Sequence, residues 1–229
     1  MLQVCLNGAR TRADFAALPV SPAELAAEAT AAVTAGAENV HLHPKTPDGT
    51  DSLAPDVVAA AVVAVRAAVP VPVGVTTGAW AEPDPARRVA MIRAWTVLPD
   101  HASVNWHEDG AADVTEALLS RGMGVEAGIF SGTGAAGRFR ASGLAPRVLR
   151  VLAEITDTDP ATATGTASAL LAALGPGPVL LHGQDGGAWP VLAHARALGL
   201  DARIGLEDVL LLPDGSAPAG NADLVRAAL

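Results

Sequence analysis

The chain has 229 residues, half of them apolar and 17% charged, which excludes a disordered polymer and allows one large buried core. Its formal net charge of −9 is scattered along the sequence, which argues against DNA or RNA as a partner, because nucleic-acid affinity needs clustered Lys and Arg. A single cysteine, Cys5, excludes an internal disulfide and fits a reducing cytoplasm. No basic segment followed by a long apolar stretch opens the chain, so export by a signal peptide is not expected. The most apolar run, Val57 to Val65, ends at Arg66 and is too short for a membrane helix of ~20 residues.

Short Val/Ile/Leu-rich runs alternate with longer Ala-rich helical ones. Gln3 to Asn7 reads as a strand. Pro22 to Ala35 follows as a helix, with Ser21 as N-cap, Pro22 at the first helical position, Glu24 in the first turn and Gly36 after the end. Asn39 to His43 is the second strand, and Pro55 to Val69 the second helix, stopped by Pro70 and Pro72. Val73 to Thr76 and Asp84 to Trp95 form the next pair, then Ala102 to Trp106 and Ala111 to Arg121. After strand Gly124 to Ile129 comes a Gly-rich loop, Ser131 to Gly137, and a short helix around Leu144 to Arg147. Val151 to Ile155 with Ala161 to Leu174, Val179 to His182 with Trp189 to Leu198, and Ala202 to Leu206 with Ala222 to Leu229 complete the series. Eight strand–helix units predict a (β/α)8 barrel built as one domain over residues 1–229, near the ~250 typical of that fold. A doubly wound open sheet is the alternative, but it usually has fewer units. In a barrel the strand-to-helix loops share one face, where enzymes of this fold build their active sites.

The sharpest local feature is His41-Leu42-His43. Residues two apart on a strand share a face, so both imidazoles point into the barrel mouth while Val40 and Leu42 face the helices. They read either as two ligands of one metal ion or as a hydrogen-bonded core pair. On the eighth strand, Arg203, Gly205 and Glu207 share a face. Glu207 is a candidate third ligand, and Asp208 a candidate general base oriented by Arg203. The rival reading is a structural Arg–Glu pair with Asp208 as a helix cap. Glu126 interrupts an apolar strand, which suggests a polar site rather than packed hydrocarbon. Asn7, Thr76, Thr77 and Asn105 fall at strand ends and can donate hydrogen bonds to a carboxylate or oxyanion. His182, ending the seventh strand, is a candidate to bind substrate, act as an acid or cap a helix. His107-Glu108 is a rival metal pair, weakened because adjacent strand residues face opposite ways. Cys5 reads as core packing. The loop Gly132 to Gly137 lacks the Lys-Ser/Thr ending of a nucleotide-binding loop, and is either a mobile lid or a connection.

Taken in order, Asn7-Gly8-Ala9-Arg10, Leu18-Pro19, Ser21-Pro22-Ala23-Glu24-Leu25, Ala35-Gly36-Ala37, His41-Leu42-His43 with Pro47-Asp48-Gly49, and Arg203-Ile204-Gly205-Leu206-Glu207-Asp208 resemble the β-keto acid cleavage enzymes, most strongly over residues 1 to 50 and 200 to 225. The resemblance implies a zinc-dependent (β/α)8 barrel that condenses a β-keto acid with acetyl-CoA, releasing acetoacetate and a new acyl-CoA. It implies His41, His43 and Glu207 as zinc ligands and Asp208 with Arg203 as the base dyad. It also implies Glu126 near the substrate, and the Thr76-Thr77-Gly78 turn on the substrate carboxylate. Departures from the pattern are a shorter chain, mainly between strands five and six and after strand eight, Lys45 where an Arg is common, and a different stretch from His182 to Trp189. A metal-dependent hydrolase or aldolase acting without CoA is the rival enzyme reading, and a non-catalytic barrel that binds a small acid is the rival of another class. A homo-oligomer of soluble, cytoplasmic chains is expected.

Overall fold

The computed structural model describes all residues, 1–229. Eight parallel strands close in sequence order into a barrel, β1 pairing with both β2 and β8. The strands are β1 (Leu2–Cys5), β2 (Asn39–Leu42), β3 (Val73–Thr76), β4 (His101–Asn105), β5 (Gly124–Phe130), β6 (Arg150–Ile155), β7 (Val179–Gly183) and β8 (Asp201–Ile204). The helices are α1 (Pro22–Thr34), α2 (Pro55–Ala68), α3 (Pro85–Ala94), α4 (Ala111–Leu119), α5 (Ala135–Ala141), α6 (Ala163–Leu174), α7 (Ala188–Ala197) and α8 (Asn221–Ala228). No helix is long and apolar enough to cross a membrane.

Strand alternation sorts the side chains. Val4, Val40, Leu42, Val75, Ala102, Val104, Val125, Ala127, Ala153 and Ile204 face outward and pack under the helices in one continuous core. The inward positions are instead unusually polar: Gln3, Asn39, His41, His101, Ser103, Glu126, Arg150, Glu154, His182 and Arg203 are all buried. The barrel lumen is therefore held by paired polar groups rather than by the branched apolar layers common in this fold.

Where the sequence reading differs, the cause is local. The second half of the expected Gly-rich loop is helix α5, because its alanines favour helix and Phe139 buries itself edge-on against Trp106, 4.9 Å between ring centroids. Strand β8 stops at Ile204 rather than running to Leu206. Gly205 turns the chain there, accepting backbone bonds from Asp208 (2.9 Å) and Val209 (3.0 Å). A side chain at Gly205 would drive into the Cys5 backbone, so only glycine lets β8 approach β1 this closely at the turn.

The expected cap of α1 is present in full. Ser21 Oγ accepts from the Glu24 backbone N–H, and Glu24 Oε2 accepts from the Ser21 N–H at 2.8 Å. These backbone bonds draw the Glu24 carboxyl down from 4.5 to about 2. A depressed folded-state pKa means the cap's contribution is complete above pH ~4.5 and fades as pH falls toward about 2. Ser21→Ala is expected to lower unfolding free energy by about 1 kcal/mol at neutral pH. Glu24→Gln removes the half of the cap that titrates: in urea unfolding the gap between Glu24→Gln and wild type should narrow below pH ~4, and a gap independent of pH would contradict the carboxylate's role.

Candidate active site

At the carboxyl ends of the strands lies a cavity of ≈ 370 Å³, lined by His41, His43, Thr76, Ser103, Asn105, Glu154, Arg203 and Glu207 among others. His41 projects from β2, and His43 follows directly after it. The end of β2 is clasped by Asn7: its amide donates to the carbonyls of Pro19 (3.1 Å) and His43 (3.0 Å), and its oxygen accepts from the His43 N–H (2.9 Å). Both amide hydrogens of Asn7 are thus committed to main chain, and the residue positions His43 rather than lining the cavity.

Glu207 and Asp208 are neighbours, yet both turn toward Arg203, because the Gly205 turn breaks strand alternation. Arg203 Nη2 donates to Glu207 Oε1 (2.7 Å) and to Asp208 Oδ1 (2.9 Å), and Nε donates to Asp208 Oδ1 (3.1 Å). Gly8, in the left-handed region at φ +59°, leaves the room that Glu207 occupies, since a side chain there would drive into Glu207. Arg10 Nε caps the Glu207 carbonyl at 3.0 Å.

The remaining oxygen of Glu207, Oε2, is buried and accepts no hydrogen bond. It faces His41 Nε2 at 3.9 Å and His43 Nε2 at 3.6 Å, and the three ligand atoms lie within 4.8 Å of one another. Ligands bound at ~2.1 Å around one tetrahedral ion stand about 3.4 Å apart, so small side-chain shifts bring the three onto one cation. Behind His43, Asp51 Oδ2 accepts from Nδ1 at 2.7 Å, which leaves Nε2 as the lone-pair nitrogen facing Glu207. Asp51 also accepts from Trp80 Nε1 (2.8 Å) and from Lys45 Nζ. Trp80 stacks on His43, 5.6 Å between centroids, over the bare backbone of Gly78, where a side chain would collide with the indole.

The titration behaviour fits a cation site. Burial drives His41 down to about 3. Burial acts the same way on His43 but is outweighed by the Glu207 and Asp51 carboxylates, which raise it to about 9. Among lining charges, Arg10 and Arg203 face Asp14, Glu154, Asp185 and Glu207, and a protonated His43 offsets one of the two surplus negative charges; a divalent ion that takes the His43 Nε2 lone pair displaces that proton and offsets both. The residues present therefore fit a single divalent ion.

The other expected residues separate. Thr76 and Asn105 line the cavity. Thr77 instead donates to the Ser103 carbonyl at 2.6 Å. Asp208 is buried behind Arg203, its Oδ2 without a partner. His182 is buried deeper still, with Nδ1 3.2 Å from Asp208 Oδ1 and Nε2 3.4 Å from Glu154 Oε2. Glu126 lies outside the cavity lining, toward the amino-terminal ends of the strands. Its Oε1 accepts from Gln3 (2.9 Å) and twice from Arg150 (2.9 and 2.6 Å). The His107–Glu108 pair gathers no third ligand, because Glu108 is spent on Arg88, Asn105 and the Ala79 N–H. Burial raises the Cys5 thiol, consistent with core packing. Arg10, Asp51, Trp80, Ser103 and Glu154 were not singled out from sequence. Only Glu154, an acid at the inward position of a strand's carboxyl end, carried a signal that strand alternation could have exposed.

The fold is shared with solved structures. A binary complex of ObcA with oxaloacetate matches with TM-score 0.68 at 19% identity, over 91% of this chain. A ternary complex of ObcA with a C4-CoA adduct and oxalate matches with TM-score 0.66 at 19% identity, over the same share. The chain spans 62% of the length of these ObcA chains. (S)-3-O-geranylgeranylglyceryl phosphate synthase from Thermoplasma acidophilum, in complex with sn-glycerol-1-phosphate, matches with TM-score 0.52 at 14% identity, over 99% of this chain and 90% of its own. The profile of the beta-keto acid cleavage enzymes matches residues 1–229, end to end. With that match, the chain belongs to the β-keto acid cleavage enzyme family.

Proposed function

We propose that this protein condenses a β-keto acid with acetyl-CoA and releases acetoacetate and a new acyl-CoA, with zinc held by His41, His43 and Glu207. The observation that carries the reading is the convergence of two imidazoles and one partnerless carboxylate oxygen on a single point, with Asp208 one residue further along. Family membership supports it, as do the ObcA complexes, in which a barrel of this shape takes oxaloacetate or a CoA adduct. A two-histidine, one-carboxylate set is a catalytic zinc donor set, though it also suits other divalent metals.

A divalent ion held there would supply Lewis acidity to the keto and carboxylate oxygens of the substrate. The chain supplies the rest. Asp208, fixed through Oδ1 by Arg203 and with Oδ2 unpartnered, is the base for the proton on the carbon between keto group and carboxylate; it lies behind Arg203, outside the cavity lining, so the proton reaches it past the guanidinium. Arg203 lines the cavity and compensates the negative charge around Glu207 and Asp208. Thr76, Ser103 and Asn105 offer polar groups along the wall for the bound acid. Trp80 and Asp51 hold the His43 ring in one tautomer and one orientation.

Metal-loaded protein is expected to form acyl-CoA from acetyl-CoA and at least one β-keto acid. Asp208→Asn should keep the metal and lower kcat by about a hundredfold to ten-thousandfold. Cleavage of the acid that proceeds equally well without acetyl-CoA would overturn the acyl-transfer reading in favour of a hydrolase or aldolase.

A further inference from the structure

The paired strands β1 and β8 part at Val4 and Ile204, before the residues that carry the candidate site. Past Ile204 a single backbone bond spans the two segments, from the Glu207 N–H to the Cys5 carbonyl at 3.3 Å. Asn221, at the start of α8, bridges the opening with its side chain. Its Nδ2 donates to the Leu6 carbonyl at 3.0 Å, and its Oδ1 accepts from the Leu206 N–H at 2.9 Å.

Both anchor points adjoin the candidate ligands. The Leu6 N–H donates to the His41 carbonyl at 3.0 Å, and the next residue, Asn7, clasps His43. Leu206 is followed directly by Glu207. One amide therefore joins the segment tied to both imidazoles to the segment that carries the carboxylate. Asn221 does not cap its own helix, because the cap position is Gly220. Its second amide hydrogen goes to Glu28 Oε2 on α1 at 2.9 Å, and the same oxygen accepts from the Asn221 N–H at 3.0 Å. Asn221 is fully buried with its side-chain oxygen and both amide hydrogens engaged, so it has no donor left for a ligand and acts through the main chain alone.

We propose that Asn221 is a positioning residue that fixes the separation of Glu207 from His41 and His43, and with it how tightly the three hold one divalent ion. The inference rests on the reading of those three residues as its ligands. Glu207 Oε2 stands 3.9 and 3.6 Å from the two imidazole Nε2 atoms, and a ligand set works only when held within about 0.5 Å of its productive geometry. Arg203 ties Glu207 within its own segment, and Asp51 does the same for His43, so neither sets the distance between them. Arg10 does cross to the Glu207 carbonyl, but on a long side chain that is 23% exposed. The short, buried amide of Asn221 is the stiffer link.

Three variants separate this role from general loosening. Asn221→Asp combined with Glu28→Gln exchanges the amide and the carboxylate, which keeps the contacts to Leu206 and α1 and removes only the donor to Leu6. Asn221→Ala removes the whole link. Glu28→Ala loosens α8 from α1 but leaves both bonds of the link, and so measures a merely structural loss. Zinc affinity is read by competition with a chromophoric chelator, ligand geometry by the visible spectrum of the cobalt(II)-loaded protein, both without substrate, and stability by urea unfolding. The expected result is zinc binding weakened by about ten- to a hundredfold, with an altered cobalt spectrum, in the exchanged pair and in Asn221→Ala. Glu28→Ala should lose stability with affinity and spectrum unchanged. Wild-type affinity and spectrum in either folded Asn221 variant would overturn the role of Asn221 and leave the metal site standing. An equal fall in affinity in Glu28→Ala would overturn it too, since the loss would follow stability rather than the link. Wild-type protein that takes up no stoichiometric zinc would overturn both.

Discussion

Glu207→Gln is expected to lose stoichiometric divalent metal and to lower turnover by about a thousandfold or more. The substitution is nearly isosteric, so the Gly205 turn and the Gly8 niche are undisturbed. What changes is charge and donor type. Glu207 Oε1 belongs to Arg203, and Oε2 alone faces the two Nε2 atoms. A neutral amide can present only a weak carbonyl ligand there, or an NH2 group that repels a cation. His41→Ala should act in the same way, because it removes one of three ligands without touching Asp208 or Arg203. Asp51→Asn is the graded control. It weakens the acceptor behind His43 while keeping all three ligands, and should cost about ten- to a hundredfold in metal affinity. Elemental analysis beside activity on the same samples checks all three variants. Full metal content in both Glu207→Gln and His41→Ala would show that the ion sits elsewhere.

The barrel was legible because parallel strands buried under helices write continuous Val/Ile/Leu runs, and the alanine-rich stretches between them carry caps such as Ser21 and stops such as Pro70. The two histidines were legible because their spacing of two survives as shared direction on β2. Glu207 was placed on the right side for an incomplete reason: alternation predicts it inward but would have turned Asp208 outward. The Gly205 turn, invisible to a period-two argument, brings both acids to Arg203. Asp51 left no signal at all. It reaches His43 through a loop closed by the Lys45–Asp51 bridge, a tertiary contact that no local pattern encodes. Glu126, an acid in an apolar strand, was read as facing a polar site rather than packed hydrocarbon, and it does face polar groups, but those of the lumen, Gln3 and Arg150, outside the cavity lining.

Glu126 makes that last point measurable. It is fully buried, and its Oε1 accepts from Gln3 and twice from Arg150, with His101 Nδ1 3.4 Å from Oε2. Burial alone would raise its pKa, but His101 and the Arg150 guanidinium beside it outweigh that and hold the carboxyl well below the usual range. The guanidinium of Arg150 has one further acid, Asp201 at 3.3 Å, near the strand ends. Glu126→Leu therefore leaves Arg150 only that partly exposed acid and leaves Gln3 and His101 without their acceptor, and the loss in unfolding free energy is expected to be about 3 kcal/mol by urea titration. Glu126→Leu combined with Arg150→Met removes both partners and should recover most of that loss, since a matched apolar pair needs no desolvated charge. A residue that acts on substrate would behave differently. Its loss would appear in kcat/KM at unchanged stability, and pairing it with Arg150→Met would recover nothing. Expected here is the first pattern, with the metal still bound in the double variant, because His41, His43 and Glu207 sit at the opposite, carboxyl ends of the strands.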